Sequence, residues 1–132
     1  MQHDYGRDDQ VKKWLKNAHS DLALASIDLP DGVMYEQLCF HAQQAAEKSI
    51  KALLIHLSLE FPFSHNIQLL IGILPADIKN IPIMAEVISL TPYAVLTRYP
   101  GEIDIVTEDK YSEAIQVSKS VVEFVESYVS QN

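Results

Sequence analysis

Cysteine, glycine and basic residues are all scarce in this 132-residue chain. Cys39 is its one cysteine, which excludes an internal disulfide and a zinc site of paired thiolates, and which fits a reducing cytoplasm. With only four glycines and no Asn-Gly or Asp-Gly turn between alternating hydrophobic runs, the hairpin signals of an all-β protein are missing. A net charge of −8 argues against non-specific binding to nucleic-acid phosphates.

Long hydrophobic runs are missing as well. No stretch of about 18 apolar residues could span a bilayer, and "MQHDYGRDDQ" lacks the cationic and apolar regions of a secretory signal. We therefore expect a cytoplasmic protein without a membrane partner. Because 48% of the residues are hydrophobic and no linker divides the chain, we expect residues 1–132 to form a single domain.

Hydrophobic periodicity predicts three long helices. The first begins near Asp8 and Asp9 and ends at "DLPDG", residues 28–32, and the second runs from about Met34 to Leu57. The final helix begins at Thr107 as its N-cap. A shorter helix, capped by Ser64 or Asn66, reaches about Leu74 before Pro75.

These helices predict an all-α protein, an antiparallel up-and-down bundle of four or five helices. Two points stay open. Pro92 either kinks one helix or follows Thr91, as cap, at the start of a second short helix. The β-branched stretch from Val117 to Val129 also fits a strand, although its stripe is longer than an ordinary strand. The predicted core includes Leu15, Leu22, Ala42, Ala45, Leu53, Ile115, Val122 and Val125.

Four segments, in order, resemble the HEPN family of small helical domains. They are "HAQQAAEKSIKALL" on the second helix, then "SHNIQLL", "YAVLTRYPGE" and "TEDKYSEAI", and the resemblance covers about residues 10–128. It implies a homodimer that binds a nucleotide or partners a minimal nucleotidyltransferase, either as a substrate-binding subunit or in a toxin–antitoxin pair.

Some members of this family are ribonucleases with an Arg followed by a His after four to six residues. Here Arg7 is twelve positions before His19, and no His follows Arg98. The resemblance therefore favours a binding domain without catalytic residues of its own. A ribonuclease toxin with a divergent site and a purely structural interaction module remain the alternatives.

Candidate ligand-binding residues lie on the second helix and in two loops. His41, Gln44, Lys48 and Lys51 fall within about 80° on one side of the helix, beside its Ala- and Leu-rich face. Such a strip of donors suits an anionic ligand, and an ordinary solvated flank with His41 bonded inside the bundle is the alternative.

Two loops supply the remaining candidates. His65 precedes a helix start, where backbone N–H groups favour anions, although a plain capping loop also fits. Arg98 could clamp a phosphate while Tyr99 offers a stacking face, or Arg98 could pair with Glu102 while Tyr99 packs.

Recognisable cofactor motifs are absent. The five histidines have no H-E-x-x-H spacing, so no metal is expected. Without a G-x-x-x-x-G-K-[ST] or G-x-G-x-x-G loop, no cofactor is expected, and side chains and helix ends would have to hold a nucleotide.

Overall fold

The computed structural model describes residues 5–95 and 105–131. Within these ranges every regular element is helical, and the predicted all-α bundle is confirmed. The elements are α1 (Tyr5–Ala25), α2 (Tyr35–His56), α3 (Ile67–Ile73), α4 (Ala76–Lys79), α5 (Pro82–Ile88), a 3-10 turn (Thr91–Ala94) and α6 (Glu108–Gln131).

Helix α2 is the central helix, because both α1 and α6 pack along it. Its small residues Ala42, Ala45 and Ala46 are completely buried and let the neighbouring backbones approach. Ser118 on α6 uses that closeness, since its hydroxyl donates a 2.7 Å hydrogen bond to the carbonyl oxygen of Ala42.

Side-chain contacts fix the directions of the three long helices. Tyr111, near the start of α6, stacks on Tyr35 and donates a hydrogen bond to the carbonyl oxygen of Ala25, at the end of α1. Helix α1 is therefore antiparallel to α2 and α6, whereas α2 and α6 run the same way. The short elements between α2 and α6 return the chain from the end of α2 to the end at which α2 begins.

The predicted caps of α3 and α6 are present. The Asn66 side chain accepts a hydrogen bond from the Leu69 backbone N–H, and Thr107 accepts one from the N–H of Lys110. Helix α6 continues through the β-branched stretch, which excludes the strand alternative.

Pro92 does not kink a helix. Helix α5 ends at Ile88, and Pro92 lies near the start of the separate 3-10 turn. This agrees with the alternative in which a second short helix begins at Pro92. The expected capping role of Thr91 is wrong, because the N-cap is Leu90 and the Thr91 hydroxyl instead donates to the carbonyl oxygen of Ile88.

Five of the predicted core residues, Ala42, Ala45, Leu53, Val122 and Val125, are fully buried. Leu15 and Leu22 on α1 are half-buried and pack against that core, and Ile115 is half-buried. The buried stripe of α6 is therefore centred on Val121, Val122 and Val125.

Burial of Cys39 predicts a loss of stability at alkaline pH. Burial, with a smaller contribution from Glu36, raises the pKa of the Cys39 thiol from 9.0 to about 12, so the folded protein retains a proton that the unfolded chain loses. The free energy of unfolding should fall above pH 9 by up to about 1.4 kcal/mol per pH unit. Burial also raises the pKa values of Tyr93 and Tyr111, which add to the loss only above pH 10.

Urea unfolding of the wild type and of Cys39→Ala at pH 8, 9 and 10 checks this prediction. The variant should lose less stability than the wild type between pH 9 and pH 10. Equal losses in the two proteins would show that the thiol does not cause the pH dependence.

Candidate functional site

Asp21 on α1 joins two of the predicted donors of α2. The Lys48 ammonium donates a 2.6 Å hydrogen bond to one carboxylate oxygen of Asp21, and His41 Nδ1 donates a 3.1 Å bond to the other. The Asp21 side chain is only 14% exposed. This Asp21 cluster therefore connects the two helices through a partly desolvated ion pair.

Glu47 on α2 pairs with two further predicted donors, Lys51 and His65. One of its carboxylate oxygens accepts hydrogen bonds from Lys51 Nζ, at 3.0 Å, and from His65 Nδ1, at 2.9 Å. The Glu47 side chain is 2% exposed and that of Lys51 is 5% exposed. Lys51 and Glu47 therefore form a buried ion pair. The exposed ring of His65 lies at the outer edge of this Glu47 cluster.

Two glutamines extend the Glu47 cluster along α2. Gln43 Nε2 lies 3.4 Å from the second Glu47 oxygen, and Gln44 Nε2 donates a 2.8 Å bond to Gln43 Oε1. Gln43 is completely buried, so this contact satisfies a polar group inside the bundle. The chain of amides and charges reaches from the half-buried Gln44 to the exposed His65.

Two aromatic rings lie near Lys51, one on α1 and one in the loop after α2. The Lys51 ammonium lies 5.4 Å from the ring centroid of Trp14 and 5.9 Å from that of Phe63. Both distances are within the range of cation–π attraction. Phe63 is 95% exposed and contacts the His65 ring edge-on, so an aromatic face reaches solvent next to the Glu47 cluster.

A groove of about 260 Å³ lies along the contact between α1 and α2. Its lining residues are Gln10, Lys13, Trp14, Asn17 and Lys48. The first four recur on α1 at spacings of three, one and three, which places them on one side of that helix. The groove thus combines an indole face with two ammonium groups and two side-chain amides.

The predicted site residues are brought together in part. Lys48 lines the groove and His41 shares its Asp21 partner, while Lys51, Gln44 and His65 belong to the Glu47 cluster. Lys51 is buried, which is inconsistent with the alternative of an ordinary solvated flank at this position. Arg98 and Tyr99 lie outside the described residues.

Sequence reasoning missed the two carboxylates that pair with the donors, and it missed the residues Gln10, Lys13, Trp14, Asn17 and Phe63. The spacing of Gln10, Trp14 and Asn17 was available as a signal, but only the crossing of α1 over α2 places them beside Lys48. Within the described ranges, no three His, Cys, Asp or Glu side chains lie close enough together to hold a metal ion.

The HEPN domain model matches residues 11–128, which is most of the chain. This protein belongs to the HEPN family. The match begins within α1 and ends within α6, so both clusters and every groove-lining residue except Gln10 lie inside the HEPN domain.

Two solved structures have the same fold. TT1696 from Thermus thermophilus is 29% identical with a TM-score of 0.74, and the match covers 89% of this chain and 97% of that one. ST0689, described as an archaeal HEPN homologue, is 26% identical with a TM-score of 0.68, and the match covers 90% and 97%. A search of the curated proteins gave no match. In the part of the chain that the structure describes, no helix is both long and apolar enough to span a membrane.

Proposed function

We propose that this HEPN domain binds a nucleotide in the groove between α1 and α2, has no catalytic activity of its own, and serves a minimal nucleotidyltransferase as a substrate-binding or toxin–antitoxin partner. The observation that carries the proposal is the joint presence of Trp14 and Lys48 in the groove wall. An indole face can stack on a base, and an ammonium group can bind a phosphate.

The remaining groove residues fit the same ligand. Gln10 and Asn17 carry amide groups that both donate and accept hydrogen bonds, as base edges and ribose hydroxyls require. Lys13 adds a second, exposed ammonium group, which pairs at 3.1 Å with Asp9 one turn earlier. This set of side chains supplies a stacking face, amides and cations without a glycine-rich phosphate loop.

Trp14 allows binding to be measured directly, because it is the single tryptophan of the chain. Titrating adenine and guanine nucleotides while following tryptophan emission reports on the groove itself, and a thermal-shift assay gives an independent signal. Saturable quenching together with a raised melting temperature is the expected result. If no nucleotide produces either signal, the nucleotide-binding proposal is wrong.

Lys48→Ala should weaken nucleotide binding by about tenfold or more, since a hydrogen bond to a charged group contributes about 1.5–3 kcal/mol. The unliganded protein should lose only about 1 kcal/mol, because the Lys48 side chain is partly exposed and its pair with Asp21 is partly screened. Fluorescence titration and thermal unfolding measure the two effects.

Lys16→Ala is the matched control, because Lys16 is an exposed lysine of α1 that does not line the groove. It should leave the affinity unchanged. A large loss of stability in Lys48→Ala with full nucleotide affinity would instead assign Lys48 a structural role.

The proposed homodimer is supported by large apolar side chains that the described residues leave exposed. Phe63, Ile105 and Met34 are 95%, 82% and 59% exposed. A symmetric interface would remove such groups from water. Multi-angle light scattering at micromolar concentration should give twice the chain mass of 14.9 kDa, and a mass of one chain at every concentration would contradict the dimer.

A ribonuclease with a divergent site is the second candidate, favoured by the geometry of His65. Glu47 accepts a 2.9 Å hydrogen bond from Nδ1 of this exposed ring, and in a neutral imidazole with its hydrogen on Nδ1 the other nitrogen can accept a proton. Purified protein should nevertheless not cleave RNA, since neither arginine has a histidine at the spacing of the family's ribonucleases. Cleavage that disappears in His65→Ala would favour this candidate over the binding domain.

A further inference from the structure

Asp21 places a negative charge beside the cation that the proposed ligand needs. It accepts a 2.6 Å hydrogen bond from Lys48, the lysine that lines the groove, and a 3.1 Å bond from His41. A phosphate that approaches Lys48 must either share the ammonium group with this carboxylate or displace it. Each additional phosphate charge increases the repulsion from Asp21 at short range.

The other groove cation does not compensate for this repulsion. Lys13 pairs with Asp9, and the two side chains are 73% and 63% exposed, so solvent screens their charges. The groove therefore offers two ammonium groups and two neighbouring carboxylates, which is close to electrical neutrality. Such a balance suits a ligand of low charge.

The size of the groove leads to the same conclusion. Its volume of about 260 Å³ lies below the range of roughly 300–1,000 Å³ that is common for sites of drug-sized ligands. A base and its sugar use most of that space when they lie on Trp14. A chain of three phosphates would extend beyond the lysines that line the groove.

We propose that Asp21 is a specificity-determining residue that restricts the groove to nucleosides and nucleoside monophosphates and disfavours triphosphates. This inference rests on the proposed nucleotide-binding function. Asp21 pairs with the Lys48 ammonium in the unliganded protein, so the site gains little from a highly charged ligand. Removing its charge while keeping its shape should open the site to polyphosphates.

The test titrates adenosine, AMP, ADP and ATP against the wild type and Asp21→Asn while tryptophan emission is recorded. EDTA keeps the nucleotides free of metal, and the ionic strength is held constant. The wild type should bind AMP more tightly than ATP. Asp21→Asn should raise the affinity for ATP by about tenfold or more relative to that for AMP, with adenosine changing little, because only the charge near Lys48 differs.

Two further variants separate charge from structure. Asp21→Glu keeps the carboxylate and should keep the preference for AMP. Asp77→Asn makes the same change of net charge at an exposed position on α4, and should leave all four affinities unchanged.

Three results would overturn the inference. One is a wild type that prefers ATP, and this measurement decides the question even if Asp21→Asn fails to fold. The second is an unchanged ratio of ATP to AMP affinity in Asp21→Asn, which would leave the proposed function intact. The third is the absence of any response to all four probes in wild type and variant, which would overturn the proposed function together with the role of Asp21.

Discussion

Glu47→Ala is expected to lower the free energy of unfolding by about 3–5 kcal/mol, because it leaves a charged lysine in the protein interior without a counter-charge. The Lys51 side chain is 5% exposed and its ammonium group donates to Glu47 at 3.0 Å. The same substitution removes the hydrogen-bond acceptor of Gln43, which is completely buried. Urea unfolding followed by circular dichroism measures the loss.

The matched control is Glu126→Ala, which removes a carboxylate that pairs with His19. Both of these side chains are partly exposed. This surface pair should contribute no more than about 1 kcal/mol. The double variant with Glu47→Met and Lys51→Met should recover the part of the stability that is lost to the unpaired lysine, because it replaces a buried ion pair with apolar groups, while Gln43 still lacks its acceptor. A loss for Glu47→Ala no greater than that for Glu126→Ala would show that the pair is hydrated in solution.

The three long helices and the caps of α3 and α6 were predictable because they depend on local patterns. The stripe of α6 recurs with helical spacing, and Asn66 and Thr107 lie where an N-cap must lie, so neighbouring residues suffice to identify them. Helix α4 was missed because it has only four residues, Ala76–Lys79, between Pro75 and Asn80. One turn of helix is too short to show a periodicity.

The burial of charges on α2 was not predictable, because a helical wheel does not show how many neighbours a helix has. Lys51 and Glu47 lie far from the centre of the predicted Ala-rich face, where one packed side would leave them in water. Packing of both α1 and α6 along α2 buries more than one face, so the two charges must pair. The donor residues were identified from sequence, whereas their carboxylate partners depend on tertiary contacts.

Trp14→Leu should weaken AMP binding by about 1–3 kcal/mol, or roughly 5- to 150-fold in Kd, because a leucine keeps an apolar wall but cannot stack on a base. Trp14 is half-buried and is the aromatic residue that lines the groove. The substitution removes the fluorescent reporter, so isothermal titration calorimetry is the appropriate measurement. Trp14→Phe keeps an aromatic face and should retain most of the affinity.

Phe63→Leu tests whether the ligand stacks on Trp14 or on Phe63, the two aromatic rings near Lys51. Phe63 is also near the Lys51 ammonium, at 5.9 Å, but it does not line the groove. If the base stacks on Trp14, Phe63→Leu should change the Kd less than twofold, which is below about 0.5 kcal/mol. The opposite result, a large loss in Phe63→Leu with little effect of Trp14→Leu, would move the ligand to the exposed ring beside His65.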